Sequence, residues 1–102
     1  MIEVVVSPQA RGDLLDIIRY LADIASPATA EAWDRKLWQA IDELSEFPGS
    51  GAPRPRLGSN ARIRIVGPYV AIYEHVRGSG VLVVLRVVHG GRKITRKLLA
   101  GT

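Results

Sequence analysis

Several residue types are missing or scarce in this chain of 102 residues. There is no cysteine, which excludes disulfides, thiolate catalysis and cysteine-ligated metal sites. The longest run of Val and Leu, VLVVL at residues 81–85, is far too short to cross a bilayer. The opening MIEVVVSPQA lacks a basic n-region and a cleavage site, so it does not resemble a signal peptide. We therefore expect a protein of the reducing cytoplasm with no membrane association.

Carboxylates are scarce in one half of the chain only. Residues 1–50 contain nine acidic and four basic residues, a net charge of −5. Residues 51–102 contain ten basic residues and a single acid, Glu74, a net charge of +9, which gives +4 for the whole chain. A half-chain dominated by one sign indicates a basic surface, for which a nucleic acid or an acidic protein segment is the expected partner.

Hydrophobic residues make up 47% of the chain, enough for a modest core in a single domain over residues 1–102. A predicted strand at residues 2–6 is followed by Ser7-Pro8 and Ser26-Pro27. Each of these pairs is a typical helix start, with Ser at the N-cap and Pro in the first turn. Apolar residues at steps of three and four then predict two helices, the second ending at Pro48-Gly49. The short break between them makes the pair an antiparallel hairpin.

The second half of the chain predicts strands. A loop rich in Pro and Gly at residues 48–61 precedes strands at 62–66, 69–76 and 81–88. A short basic tail, RKITRKLL, is expected to form one or two helical turns. The order βααβββ predicts an α+β fold, in which the helix hairpin packs on one face of a small, mainly antiparallel sheet.

The hairpin turns set the strand register, and the register assigns side chains to two faces. A two-residue turn at Gly67-Pro68 places Arg64 opposite Ala71, and a four-residue turn at 77–80 places Ala71 opposite Arg86. We predict that the helices cover one set of residues: Ile63, Ile65, Val70, Ile72, Val83, Leu85 and Val87. The other face, left open to a partner, then carries Arg62, Arg64, Val66, Tyr69, Ala71, Tyr73, Val84, Arg86 and Val88.

Two charged residues need partners under this assignment. Glu74 falls on the covered face, near its end, so either Arg19 or Arg35 meets it or the register is wrong. Arg86 stands at the centre of the strand VLVVLRVV, and burying its charge is costly unless a carboxylate or a binding partner meets it. We favour a binding partner for Arg86, because its predicted neighbours form an exposed apolar surface.

The ordered segments resemble the ParE/RelE superfamily of toxins from bacterial toxin–antitoxin systems. The likeness spans nearly the whole chain and rests on SPQARGDLLDIIRYLAD, SPATAEAWDRKLWQAIDELSEFPGSG, IRIV, GPYVAIYEHV and VLVVLRVVHGGR. The resemblance implies a small α+β fold. It also implies a cognate acidic antitoxin, similar to ParD, that wraps around the toxin surface. Such a partner agrees with the basic surface inferred from the charge distribution.

The resemblance implies one of two mechanisms: RelE-like members cleave messenger RNA in the ribosome, and ParE-like members inhibit DNA gyrase. Cleavage through the 2′-hydroxyl requires a general base and a general acid. The two histidines, His75 and His89, are predicted to lie roughly 23 Å apart and on opposite faces. RelE-like enzymes carry a tyrosine after the last strand, which RKITRKLL lacks. Arg54 and Arg56 stand where those nucleases tend to carry lysines. We favour gyrase inhibition, with RelE-like ribosome-dependent mRNA cleavage as the alternative.

The predicted site is a binding surface with no catalytic residue. The sequence has neither a metal-ligand cluster nor a phosphate-binding loop, so we expect no metal and no cofactor. Sequence-specific DNA binding by the toxin alone is disfavoured, because the second helix of the hairpin carries only Arg35 and Lys36 among many acids. His89 is also expected to cap the end of its strand with a ring hydrogen bond. The residues predicted to bind the antitoxin or the target are Arg62, Arg64, Tyr69, Tyr73, Arg86, His89 and Arg92.

Overall fold

The order of elements in the computed structural model, which describes residues 2–100, follows the predicted order with one short addition, the two-residue strand β2. The four-residue helix α3 lies in the basic tail, where one or two helical turns were predicted. The helix hairpin packs on a single sheet, which confirms the predicted α+β fold. The elements are β1 (Glu3–Val6), α1 (Pro8–Ile24), α2 (Pro27–Glu43), β2 (Ala52–Pro53), β3 (Ala61–Val66), β4 (Tyr69–His75), β5 (Val81–His89) and α3 (Arg96–Leu99).

Both long helices begin where the sequence predicts. The Ser7 hydroxyl accepts a hydrogen bond from the Ala10 amide at 3.1 Å, and the Ser26 hydroxyl accepts one from the Thr29 amide at 3.0 Å. Helix α2 ends at Glu43, earlier than predicted, because the amides that follow bond three residues back and tighten the last turn. Phe47, which the predicted helix would have included, lies beyond its end and is exposed. Among residues 2–100 there is no helix with the length and apolarity that a membrane crossing requires.

The five strands form one sheet in the order β1-β5-β4-β3-β2, with β1 parallel to β5 and the other pairs antiparallel. The β3–β4 register is the predicted one, with Arg64 opposite Ala71. Gly67 makes the tight turn between these strands with φ of 60°. A side chain there would also collide with the ring of Trp33 on α2, 2.5 Å from the position of a Cβ atom. The turn and the helix packing both require glycine at this position.

A β-bulge in β5 changes the second register. The observed pairs are Tyr73–Val84, Ile72–Arg86 and Ala71–Val87. The first pair is the predicted one, but Leu85 is an extra residue on β5, so the prediction that Ala71 faces Arg86 is wrong by one position. The bulge lies just past the end of the β1–β5 pairing, which stops at Val84. At the next residue, the Ser7 hydroxyl at the start of α1 donates to the Leu85 carbonyl at 2.9 Å.

The helices cover the opposite sheet face from the one predicted. The core beneath the hairpin receives from the sheet Tyr69, Ala71, Tyr73, Leu82, Val84 and Val87. The other face, here called the back face, is also covered: its buried residues Ile63, Val70, Ile72 and Val88 pack against Leu57, Ile94, Leu98 and Leu99. The face assignment is therefore wrong for the residues that precede the bulge. Only after the bulge, at Val87 and Val88, do β5 residues lie on their predicted faces.

Tyr73 connects the sheet to the loop after α2 through hydrogen bonds of its hydroxyl, which we expect to contribute to stability. Its side chain is fully buried, and its hydroxyl donates to the Pro48 carbonyl at 2.9 Å and accepts from the Gly51 amide at 2.8 Å. We expect Tyr73→Phe to lower the free energy of unfolding by about 1–2 kcal/mol, because two backbone groups lose their partner. Urea denaturation followed by circular dichroism measures this change. Tyr20→Phe, at an exposed tyrosine, is the matched control, and an equal loss in both variants would contradict the prediction.

Candidate functional site

Tyr69 and Tyr73, predicted on an open surface, lie beneath the helix hairpin with exposures of 7% and 0%. The Tyr69 ring meets Trp33 edge to face, with 5.5 Å between ring centroids. Burial raises the pKa of the Tyr69 hydroxyl, and Tyr20 raises it further. The prediction that these tyrosines pave an open docking surface is wrong, because residues on the hairpin side already cover them.

Arg62 and Arg64 also lie on the hairpin side. One Arg62 nitrogen donates to the carbonyls of Gly49 and Gly51, at 3.1 and 2.7 Å. Arg64 forms a 3.1 Å ion pair with Glu43 at the end of α2. Ion pairs as exposed as this one contribute at most about 1 kcal/mol. Arg62 therefore bonds to the loop after α2 and Arg64 to the end of α2, and a role for either in binding a partner stays a prediction.

Arg86 has an intramolecular carboxylate as its partner, an arrangement called here the Asp13–Arg86 clip. Its Nε and Nη2 atoms donate to the two Asp13 oxygens at 2.7 and 2.9 Å, and Nη1 donates to the Leu98 carbonyl at 3.0 Å. The same carboxylate accepts the Val87 amide at 2.9 Å. The hydrogen bonds to Asp13 raise the pKa of Arg86, although burial opposes them. The clip thus ties α1, β5 and α3 together.

The clip explains how a strand of Val and Leu carries a charge at its centre. The sequence allowed either a carboxylate or a binding partner, and the structure supplies the carboxylate. Asp13 could have been found, because it lies three residues after Ala10 and four before Ile17, a spacing that places it beside the buried stripe of α1. The arginine-to-carboxylate geometry is bidentate, the strong form of such a pair.

The end of β5 carries the last two predicted site residues. The His89 ring nitrogen Nδ1 accepts the Gly91 amide at 3.0 Å, which confirms the predicted strand cap. The ring also meets Tyr69 edge to face, with 6.0 Å between centroids. Arg92 is exposed just beyond. Binding roles for His89 and Arg92 stay predictions.

The two histidines lie at opposite ends of the β4–β5 pair. His89 is paired with Tyr69, the first residue of β4, whereas His75 is its last residue. Six residues of strand separate these positions, roughly 20 Å at the usual rise. The ring nitrogen Nε2 of His75 lies 3.2 Å from the carbonyl oxygen of Ser79. The two rings therefore do not form an acid–base pair. Within residues 2–100, no three potential ligand side chains cluster in a way that would hold a metal ion.

A groove on the back face, called here the arginine-rimmed groove, is the site that sequence reasoning missed. It has a volume of about 450 Å³ and is lined by Pro53, Arg54, Pro55, Arg56, Leu57, Ile63 and Ile94. Most of the lining is apolar, and the two arginines are exposed at its rim. Nearby on the same face, Ile65 is 63% exposed. The groove combines an apolar floor with positive charge, which suits an acidic segment that also carries apolar side chains.

The sequence contained one indication of this groove. Pro53 to Arg56 alternate proline with arginine, and prolines restrict the backbone to extended conformations. A backbone restricted in this way fixes the positions from which the two arginine side chains extend. The fold of residues 54–58 over the sheet could not be predicted from composition, which indicated only a loop.

Comparisons with known proteins agree with this fold. Residues 4–94 match the family model described as ParE toxin of type II toxin–antitoxin system, parDE. Among solved structures, the chain is similar to one described as the chromosomal ParDE TA system from P. aeruginosa, with a TM-score of 0.75 and 19% sequence identity. The match covers 87% of this chain and 96% of the other. At that identity the likeness supports the fold alone. No curated protein gives a significant match.

Proposed function

Because the chain belongs to the ParE toxin family of type II toxin–antitoxin systems, we propose that it inhibits DNA gyrase without cleaving RNA and that a cognate antitoxin neutralises it. The observation that carries this proposal is the family match over residues 4–94. The match also favours the ParE-like mechanism over the RelE-like alternative. A toxin of this kind acts by binding, so its functional residues are those that contact the target and the antitoxin.

The positions of the ionisable side chains support a non-enzymatic mechanism. RNA cleavage through the 2′-hydroxyl needs a base and an acid on either side of one phosphate. The histidines at opposite ends of the β4–β5 pair are too far apart to serve together as acid and base. The charged residues that line the groove are both arginines, and an arginine side chain is a poor proton donor. The groove is therefore better suited to binding an anionic segment than to transferring protons.

We place the antitoxin on the arginine-rimmed groove. Leu57, Ile63 and Ile94 supply apolar surface for large side chains of the partner, at ~25 cal/mol per Å² before the costs of association. Arg54 and Arg56 attract and orient its carboxylates. This site replaces the open face expected from the sequence, which the helix hairpin covers. The required partner chemistry is unchanged: an acidic segment with apolar side chains.

Two assays on purified toxin test the proposed mechanism. In a gyrase supercoiling reaction we expect the toxin to inhibit supercoiling, and premixed antitoxin to restore it. In a translation reaction with mapping of mRNA ends, we expect no new cuts. Gyrase left fully active, together with ribosome-dependent cuts that the antitoxin suppresses, would reverse the assignment in favour of mRNA cleavage.

A further inference from the structure

A second basic surface, called here the C-terminal basic pocket, lies beside α3 and differs in chemistry from the arginine-rimmed groove. It is shallow, has a volume of about 290 Å³, and is lined by Arg86, Arg92, Lys93, Thr95, Lys97 and Leu98. Four of these six residues carry a positive charge. The last acid in the sequence is Glu74, so no carboxylate side chain comes from the segment that forms the pocket.

The charge of the pocket comes mainly from three exposed side chains. Asp13 neutralises Arg86 through the two short hydrogen bonds of the clip. Arg92, Lys93 and Lys97 remain, and each lies on the surface or is partly exposed. The Thr95 hydroxyl makes no hydrogen bond to the α3 backbone, so it is not used as a helix cap. Three cations and a hydroxyl thus face one small volume.

This lining favours phosphate over an acidic peptide. Peptide segments obtain most of their affinity from apolar contacts, and Leu98 is the single apolar residue among the six that line this pocket. Nucleic-acid backbones need mainly lysine, arginine and hydroxyl donors to phosphate oxygens. We propose that the C-terminal basic pocket binds the phosphate backbone of duplex DNA without reading its sequence. This inference does not depend on the mechanism of gyrase inhibition.

Salt-dependent binding of the toxin alone tests this proposal. A labelled duplex of about 20 base pairs is titrated by fluorescence anisotropy between about 50 and 200 mM salt. We expect Lys93→Ala with Lys97→Ala to reduce the slope of log affinity against log salt by about 1.8, since each lost phosphate contact removes about 0.9. A duplex of permuted sequence should bind with the same affinity as the first.

The matched control removes the same charge elsewhere. Arg19→Ala with Arg35→Ala changes two exposed arginines of the helix hairpin and should leave the slope unchanged. No binding at the lowest salt, or equal losses in the two double variants, would overturn the proposal. Polyglutamate is tested in the same assay. If it binds more tightly than the duplex and its binding depends equally on Lys93 and Lys97, the pocket binds an acidic protein and not DNA. Supercoiling inhibition is measured separately, so its outcome does not affect this test.

Discussion

Replacing Arg86 by methionine is expected to lower the free energy of unfolding by about 3–5 kcal/mol. The Asp13 side chain is only 13% exposed, and it loses its two hydrogen bonds to the guanidinium. A largely buried carboxylate that has lost its cation keeps only the Val87 amide as a donor, which does not replace the solvation that folding removed. The Leu98 carbonyl loses a donor as well, which should loosen α3. Urea denaturation followed by circular dichroism measures the change.

A double variant separates the lost charge pair from lost packing. Adding Asp13→Asn to Arg86→Met removes the unpaired charge and leaves a carbonyl oxygen that can still accept the Val87 amide. We expect the double variant to be more stable than Arg86→Met alone. Arg77→Ala, at an exposed arginine of the β4–β5 turn, should change stability by less than about 0.5 kcal/mol. Strict additivity of the two single changes would show that the clip is not a coupled pair.

This prediction changes what an Arg86 substitution reports about the antitoxin. The sequence favours a binding partner that meets the charge of Arg86. In the structure its guanidinium donates to Asp13 and Leu98, so loss of the side chain acts first on folding. Weaker antitoxin binding by an Arg86 variant is therefore informative only when the folded fraction is measured on the same sample.

Local spacing in the sequence was sufficient to predict the element order, the two helix starts and the β3–β4 register. Ser-Pro pairs define helix starts because their effect is confined to one turn. The two-residue turn at Gly67-Pro68 fixes its hairpin for the same reason: only the immediate neighbours matter. None of these features depends on which elements meet in the folded chain.

The choice of covered face did depend on tertiary packing. Alternation shows which strand residues share a face, but both faces of this sheet are apolar, and either set could lie beneath the helices. Glu74 was the residue whose position conflicted with the predicted face assignment. It shares a face with Ile72 and is exposed on the back face opposite Val83, whereas the predicted assignment buried it beneath the hairpin. Its misfit indicated that the two faces were exchanged.

The bulge at Leu85 had no counterpart in the sequence pattern. VLVVL is apolar at every position, so one inserted residue leaves the pattern unchanged. The shift nevertheless decides the role of Arg86, because it moves that residue from the pair with Ala71 to the pair with Ile72. The arginine-rimmed groove was missed for a related reason, since it forms only when the loop folds over the sheet.

Reversing the charge at the rim of this groove should have a large effect on binding. We expect Arg54→Glu with Arg56→Glu to weaken binding of the acidic antitoxin by about a hundredfold, or roughly 2.7 kcal/mol. Attraction at the rim becomes repulsion, and like charges brought together across an interface are strongly unfavourable. Both side chains are exposed, so slower association and a changed salt dependence should account for most of the loss. Surface plasmon resonance with immobilised antitoxin measures both rate constants.

Two further variants test whether this effect is specific to the groove: a charge reversal elsewhere, and a substitution of an apolar residue that lines the groove. Arg19→Glu with Arg35→Glu gives the same net charge, so it should reproduce only the general weakening caused by a less basic protein. Leu57→Ala removes apolar contact without changing charge, and its effect should appear mainly as faster dissociation. If Arg19→Glu with Arg35→Glu slows association at least as much as the groove variant, and Leu57→Ala leaves dissociation unchanged, the antitoxin binds elsewhere. The outer surface of the helix hairpin would then be the alternative, because Leu15 and Tyr20 of α1 expose apolar area there.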